Sequence, residues 1–424
     1  MREMIDKSII KEILLENRKD VEMQKLVHRE FLFEEFVNYV LVGVRRAGKS
    51  FLLYQRMQEL LHSGVTWDEM LYINFEDERL VGMTSGDLNL ILEVHGMMSD
   101  KRPMLFLDEI QTIEGWEKFA RRLADQKYRV YITGSNAKML SLDVATTLGG
   151  RYVVTHVMPY SFKEFLSANN IGYSDDELST TAGRAAVQRF FADYFHFGGF
   201  PEGALLKAKR DYLSSVYQKI YLGDIAARNN IENQFALRIM FKKIAESVKQ
   251  PISFTRLANI VASTGAKLSK PTLINYIEYS RNAFLLYPVR NIADSLTLRE
   301  TNPKYYFVDN GIISLLALDV ETSLLENLVA MELIRRYGVD DRVFFYNKNK
   351  EVDFYLPDEA TAIQVCYDLK QNDDTWKRET EPLLKISQIL DCKHLLMLTY
   401  DTEDHVTLKG LEIDVQPVWK WLLH

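Results

Sequence analysis

Cysteine is nearly absent from this chain of 424 residues: there are two, Cys366 and Cys392, too far apart to form a metal or redox spacing. No apolar run reaches the ~18 residues that a membrane span requires. The stretch from Met1 to Asp20 is charged throughout and does not read as a secretory leader. An overall positive charge is lacking too. The formal net charge of −7 argues against a wholesale coat of nucleic acid. What remains, 47% hydrophobic and 26% charged residues, is ordinary globular composition. The length suggests roughly two to four domains, and the expected compartment is the cytoplasm, with no membrane partner.

The charge is unevenly spread. Residues 236–300 hold ten Lys and Arg against four Asp and Glu, a surplus of +6, whereas residues 301–424 hold thirteen against twenty-two, or −9. A basic module inside an acidic chain is a candidate nucleic-acid face; a solvated helical surface is the alternative.

The most specific stretch is Gly43-Val44-Arg45-Arg46-Ala47-Gly48-Lys49-Ser50, which fits G-x-x-x-x-G-K-[ST]. Asn38–Val42 before it reads as a buried strand, and Phe51 to Leu61 after it as a helix. Strand, glycine-bounded loop and helix are the setting of a phosphate cradle, where successive backbone N–H groups and a helix N-terminus form a concave anion site. The candidate phosphate-binding set is Gly43, Arg45, Arg46, Ala47, Gly48, Lys49, Ser50 and Phe51. Lys49 would reach the β- and γ-phosphates, and the Ser50 hydroxyl would ligate Mg2+.

Residues 5–35 read as helical, with Ile9, Ile10, Ile13 and Leu14 on one stripe. Met70–Phe75 reads as a second strand. Met104-Leu105-Phe106-Leu107-Asp108-Glu109 is an apolar run ending in two carboxylates, the Walker B pattern. Asp108 would hold Mg2+ and Glu109 would orient the attacking water. A helix over Trp116–Lys127 follows, then a strand over Tyr128–Asn136. In the additional-strand P-loop architecture that strand lies between the two motif strands, so Ser135 or, by preference, Asn136 faces a γ-phosphate. Arg151, after Gly149-Gly150, is either a finger acting on a phosphate in cis or from a second subunit, or a surface arginine packing on its turn.

Residues 161–235 read as a helical, lid-like extension containing Gly198-Gly199-Phe200-Pro201-Glu202. Residues 253–290 then read as helix, Gly265-bearing turn, helix from Ser269, and a strand over Phe284–Val289 as the wing. Lys267, Lys270, Thr272 and Asn275 would meet duplex DNA there. In the last stretch, a helix carrying Glu326 and Glu332 precedes strands carrying Asp353 and Gln364. That is the outline of a restriction-endonuclease-like core, but Cys366 stands where a lysine is needed, and Lys370 is roughly 13 Å further along an extended chain.

In this order the motifs resemble the prokaryotic AAA+-type P-loop ATPases with a winged helix and a C-terminal restriction-endonuclease-like domain of unknown function. The resemblance rests on Gly-x-Arg-Arg-x-Gly-Lys-Ser, Leu-Asp-Glu-Ile-Gln, Gly-Gly-Phe-Pro-Glu and Glu-Val-Asp-Phe. It implies an α/β P-loop NTPase core over 1–160, the helical extension over 161–235, a winged helix over 236–300 and a catalytically degenerate nuclease-like domain over 301–424. It implies ATP as ligand and a link to DNA. The expected function is a Mg2+-dependent ATPase whose nucleotide state switches the later domains, with a homo-oligomer as one possible assembly. A DNA-binding regulator with negligible turnover and an ATP-dependent nuclease are the other two readings.

Overall fold

The apolar runs of the N-terminal part pair as one parallel sheet. Its strands are β1 (Asn38–Val42), β2 (Met70–Asn74), β3 (Met104–Asp108), β4 (Val130–Gly134) and β5 (Tyr152–His156), in the order β2-β3-β4-β1-β5. This computed structural model describes residues 5–136, 139, 142–339, 341–369 and 373–424, which leaves Lys370 outside. The chain forms two compact units: Met1–Met158 with Asn282–Phe284, and Pro159–Arg281 with Leu285–His424. Among the described residues, no helix is long and apolar enough to cross a membrane.

In the first unit, β1, β3 and β4 are buried along nearly their whole length, as strands covered on both faces must be. Tyr39, Tyr131 and Phe106 stand in register across these three strands, and the Phe106 and Tyr131 rings stack at 4.6 Å. As the additional-strand architecture requires, β4 lies between β1 and β3.

The flanking helices are α1 (Lys7–Met23), α2 (Lys49–His62), α3 (Asn89–Met98) and α4 (Trp116–Asp125). The helix expected over residues 5–35 is therefore half as long. Gln58 of α2 donates to the carbonyls of Val21 and Gln24 at 2.8 and 3.0 Å, taking up the last acceptors of α1. The chain beyond is irregular, and Phe33 packs edge-on against Tyr39 and Tyr131.

The second unit holds an eight-stranded mixed sheet. Its strands are β6 (Leu286–Asn291), β7 (Lys304–Phe307), β8 (Phe344–Asn347), β9 (Glu351–Leu356), β10 (Thr361–Cys366), β11 (His394–Thr399), β12 (Asp404–Leu408) and β13 (Leu411–Pro417). They run β12-β13-β11-β10-β9-β8-β6-β7. Helices Phe254–Ser263 and Lys270–Asn282 form near their expected places, with Ser253 and Ser269 accepting the amides of Arg256 and Thr272 at 3.2 Å. The strand expected as a wing forms as β6, and it pairs with β7 and β8 inside the large sheet, where Leu286 and Val289 are buried.

The Gly198–Glu202 turn is tied down by Asp309, whose carboxylate accepts the amides of Gly199 and Gly311 at 2.7 and 2.8 Å. Gly198 has φ +72°, and a Cβ there would lie 1.7 Å from Asp309 Oδ1, so the position is closed to side chains. Burial pushes the Asp309 carboxyl up to about 6 from an ordinary 3.8, against the pull of its two amides. Because the folded value is the higher one, the stability this group contributes is complete below about pH 4 and is lost as pH rises through about 6. Denaturant melts at pH 4 and pH 7 should show wild-type stability falling over that window. Asp309→Asn should remove up to about 3 kcal/mol of the fall.

Candidate nucleotide-binding site

Three neighbouring strands, β1, β4 and β3, end on one edge of the parallel sheet, and each delivers part of the site. From β1 the chain enters the Gly43–Ser50 loop. Gly43 passes so close to Val157 that a Cβ would sit 2.1 Å from its carbonyl oxygen. Gly48, left-handed at φ +91°, is the N-cap of α2 and supplies no side-chain acceptor to the helix amides. An uncapped helix start beside a glycine-bounded loop is a fit for a phosphate.

Lys49 is buried, and its ammonium donates to the carbonyls of Gly43 and Val44 at 3.1 and 3.2 Å. It also lies 3.6 Å from Glu109 Oε1. Arg45 pairs with Glu76 at 3.2 Å, and Arg46 takes a left-handed backbone at φ +67°. Ala47 is buried. Phe51 is exposed on α2, its ring 5.4 Å from that of Tyr54.

Asp108 and Glu109, at the end of β3, are both buried. Asp108 accepts from Thr133 and from Tyr72 at 3.0 Å. Burial, and then the charge of Glu109, push its carboxyl up, while these two together with the Ser50 side chain draw it down. Glu109 goes the other way. Burial would raise it, but Lys49, Gln111, Arg45 and Ser135 outweigh burial and hold it below its ordinary value. Its backbone turns left-handed at φ +53°, and its amide donates to Thr133 Oγ1 at 2.9 Å. Ser50 and Asp108 suit a Mg2+ ion that draws its other ligands from phosphate and water. Among the described residues no three His, Cys, Asp or Glu side chains gather into a dedicated metal cage.

Beyond β4, Ser135 donates to Glu109 Oε2 at 3.1 Å, and Asn136 is buried beside it. Ser135 therefore makes a direct contact with the carboxylate. Arg151 is elsewhere. It precedes β5, where Tyr152 pairs with Asn38 at the start of β1, so it sits at the amino edge of the sheet while the loop sits at the carboxyl edge. Its guanidinium pairs with Asp125 at 2.6 Å and donates to the carbonyls of Leu148 and Gly149. A finger acting in cis is excluded by that polarity.

Three contributors escaped the sequence reading. Thr133 bridges Asp108 and Glu109, and Gln111 holds the latter. Arg29, buried, donates to Ala47 O in the loop at 3.0 Å and to Met158 O at 2.9 Å. Its own amide and carbonyl are both held by the Gln55 side chain of α2. The polar ending of β4 was a signal for Thr133; nothing in the sequence marks Arg29.

Residues 36–166 match an AAA domain family model, and residues 188–323 match a domain of unknown function (DUF8612). Over nearly its whole length the chain is similar to an uncharacterized protein of Methanocaldococcus jannaschii. The two are 33% identical over 436 residues, 99% of this chain and 96% of that one. An uncharacterized protein of Haemophilus influenzae is 32% identical over 414 residues, 95% of this chain and 97% of its own. The chain belongs to their family. The AAA domain match supports an AAA+ P-loop ATPase domain in the first unit of this family member. Among solved structures, the Aeropyrum pernix ORC1 protein in complex with DNA is similar at 15% identity and TM-score 0.30, covering 77% of this chain and 93% of that one. The S. cerevisiae Hsp104–ADP complex is similar at 13% identity and TM-score 0.31, covering 66% and 40%. Likenesses of that size carry no argument about this family.

Arg29→Met should cost about 3 kcal/mol of stability, since two buried carbonyls lose a charged donor. Arg29→Lys should not restore it, because an ammonium cannot span both acceptors as a planar fork does. Chemical denaturation of the three proteins checks both statements.

Proposed function

We propose that this chain binds ATP with Mg2+ at Gly43–Ser50 and hydrolyses it. The observation that carries the reading is a buried ammonium and carboxylate, Lys49 and Glu109, 3.6 Å apart, beside the buried Asp108 carboxylate held by Tyr72 and Thr133. In this reading Lys49 and the start of α2 hold the β- and γ-phosphates, and Ser50 and Asp108 hold Mg2+, which when bound neutralises charge on the transferring phosphate. Glu109 is kept ionised by its donors, so it is able to orient a water and take its proton. Ser135 and Asn136 sense the γ-phosphate position, and Ser135 passes its state to Glu109 through their hydrogen bond. Any contact of Arg151 with a phosphate would come from a second copy of the chain.

The load of this cycle is the second unit, with duplex DNA as the partner of residues 253–290. What supports DNA is the +6 surplus over residues 236–300 and the exposure of Lys267, Lys270 and Asn275 around the start of helix Lys270–Asn282. Phosphate release measured with and without duplex DNA tests the whole reading. Lys49→Ala should lose ATP binding. Glu109→Gln should keep binding and lose about a hundredfold or more in turnover. Wild-type turnover no faster than that of Glu109→Gln would sink the hydrolase reading and leave the nucleotide-dependent DNA-binding regulator. Turnover and ATP affinity indifferent to DNA would remove DNA as partner.

A further inference from the structure

Strand β7 opens on a lysine. Lys304 is fully buried. Its ammonium lies 2.9 Å from Glu326 on helix Glu321–Tyr337, 2.9 Å from Glu351 and 3.5 Å from Asp353, the last two on β9. Tyr306, two residues along β7 and so on the same face, donates to the same Glu326 oxygen at 2.7 Å.

Two of the three, Glu326 and Asp353, are carboxylates of the nuclease-like outline, and Glu351 joins them. Glu332 stays apart, paired with Arg335 and Arg336 at 3.2 and 2.8 Å. One step along the register from the Ile363–Phe354 pair, Gln364 neighbours Asp353, and its buried Oε1 has no hydrogen-bond partner among the described residues. The next residue, Val365, donates its amide to Asp353 Oδ2 at 2.9 Å, which fixes that carboxylate in place. Cys366, at the lysine position of the outline, has its thiol pushed up to about 12, chiefly by burial, and stays protonated.

Three carboxylates therefore converge on one buried ammonium. Such a trio is the donor set of a hard divalent cation. We propose that Lys304 holds the place of a divalent cation, so that Glu326, Glu351 and Asp353 form a metal site filled by the chain's own side chain. The self-filled site does not bind Mg2+ or Mn2+ and does no metal-dependent cutting. It is a closed site rather than a weak one.

The test uses the full chain, Mn2+ alone, electron paramagnetic resonance to count bound ions, and thermal unfolding. Wild type and Asp353→Asn should bind the same number of Mn2+ ions, so any binding near Ser50 cancels. Lys304→Met should lower the unfolding midpoint by roughly 10 °C in chelator. Millimolar Mn2+ should restore most of that loss and add one bound ion per chain, and adding Asp353→Asn should abolish both effects. The proposal is overturned if wild type holds an ion that Asp353→Asn removes. It is overturned equally if Lys304→Met folds but gains no ion, or stays unfolded at every Mn2+ concentration.

Discussion

Two consecutive carboxylates buried at the end of a central strand set the terms for the whole first unit. Asp108 and Glu109 repel one another, and neither has bulk water to disperse its charge. Each must therefore be met by partners, and these come from different elements: Tyr72 from β2, Thr133 from β4, Ser135 from just beyond it, and Lys49 from the start of α2. Only a strand order with β2 and β4 on either side of β3 supplies them from both flanks. The left-handed backbone at Glu109 then sends the second carboxylate toward Lys49 while the first stays with Tyr72 and Thr133. The outcome is a pair of sequence neighbours with opposite shifts, Asp108 up and Glu109 down.

Much of this was legible because parallel central strands leave plain traces. Val40-Leu41-Val42 and Leu105-Phe106-Leu107 are unbroken apolar runs, and the polar residues that close such strands fall at the edge where they act. Arg151 was left open between finger and surface residue, because its partner Asp125 lies 26 residues away and only the fold pairs the two. The rest depended on distance in sequence. Arg29 is 18 residues from Ala47 and lies past the end of α1, in a stretch that reads as helix, so only the fold brings the two together. Lys304 lies on a strand reading Lys-Tyr-Tyr-Phe, in which a lysine next to aromatics looks like an ordinary exposed position. The pairing of β6 into a large sheet was not legible either, since a buried apolar strand has the same sequence in a small module as in a large sheet.

The two buried lysines make an instructive pair. Lys49 touches two carbonyls and stands 3.6 Å from a single carboxylate, a loose arrangement from which an ammonium is able to turn to a stronger anion. Lys304 stands among three carboxylates with no exposed surface, and leaving them would strand charges in the interior. The same side chain serves as a movable contact in one unit and as a fixed internal counter-ion in the other.

The Arg29 clamp and the α1 stripe also bear on where this domain begins. The AAA domain match starts at residue 36, yet Ile10, Ile13, Leu14, Val21, Arg29 and Phe33 are all buried in the same unit. A protein trimmed to that family boundary would uncover the surfaces of β2, α2 and α3 that α1 covers, and would leave the rings of Tyr39 and Tyr131 without Phe33. Such a fragment would carry an exposed apolar patch beside the nucleotide loop, with self-association as its first property in solution.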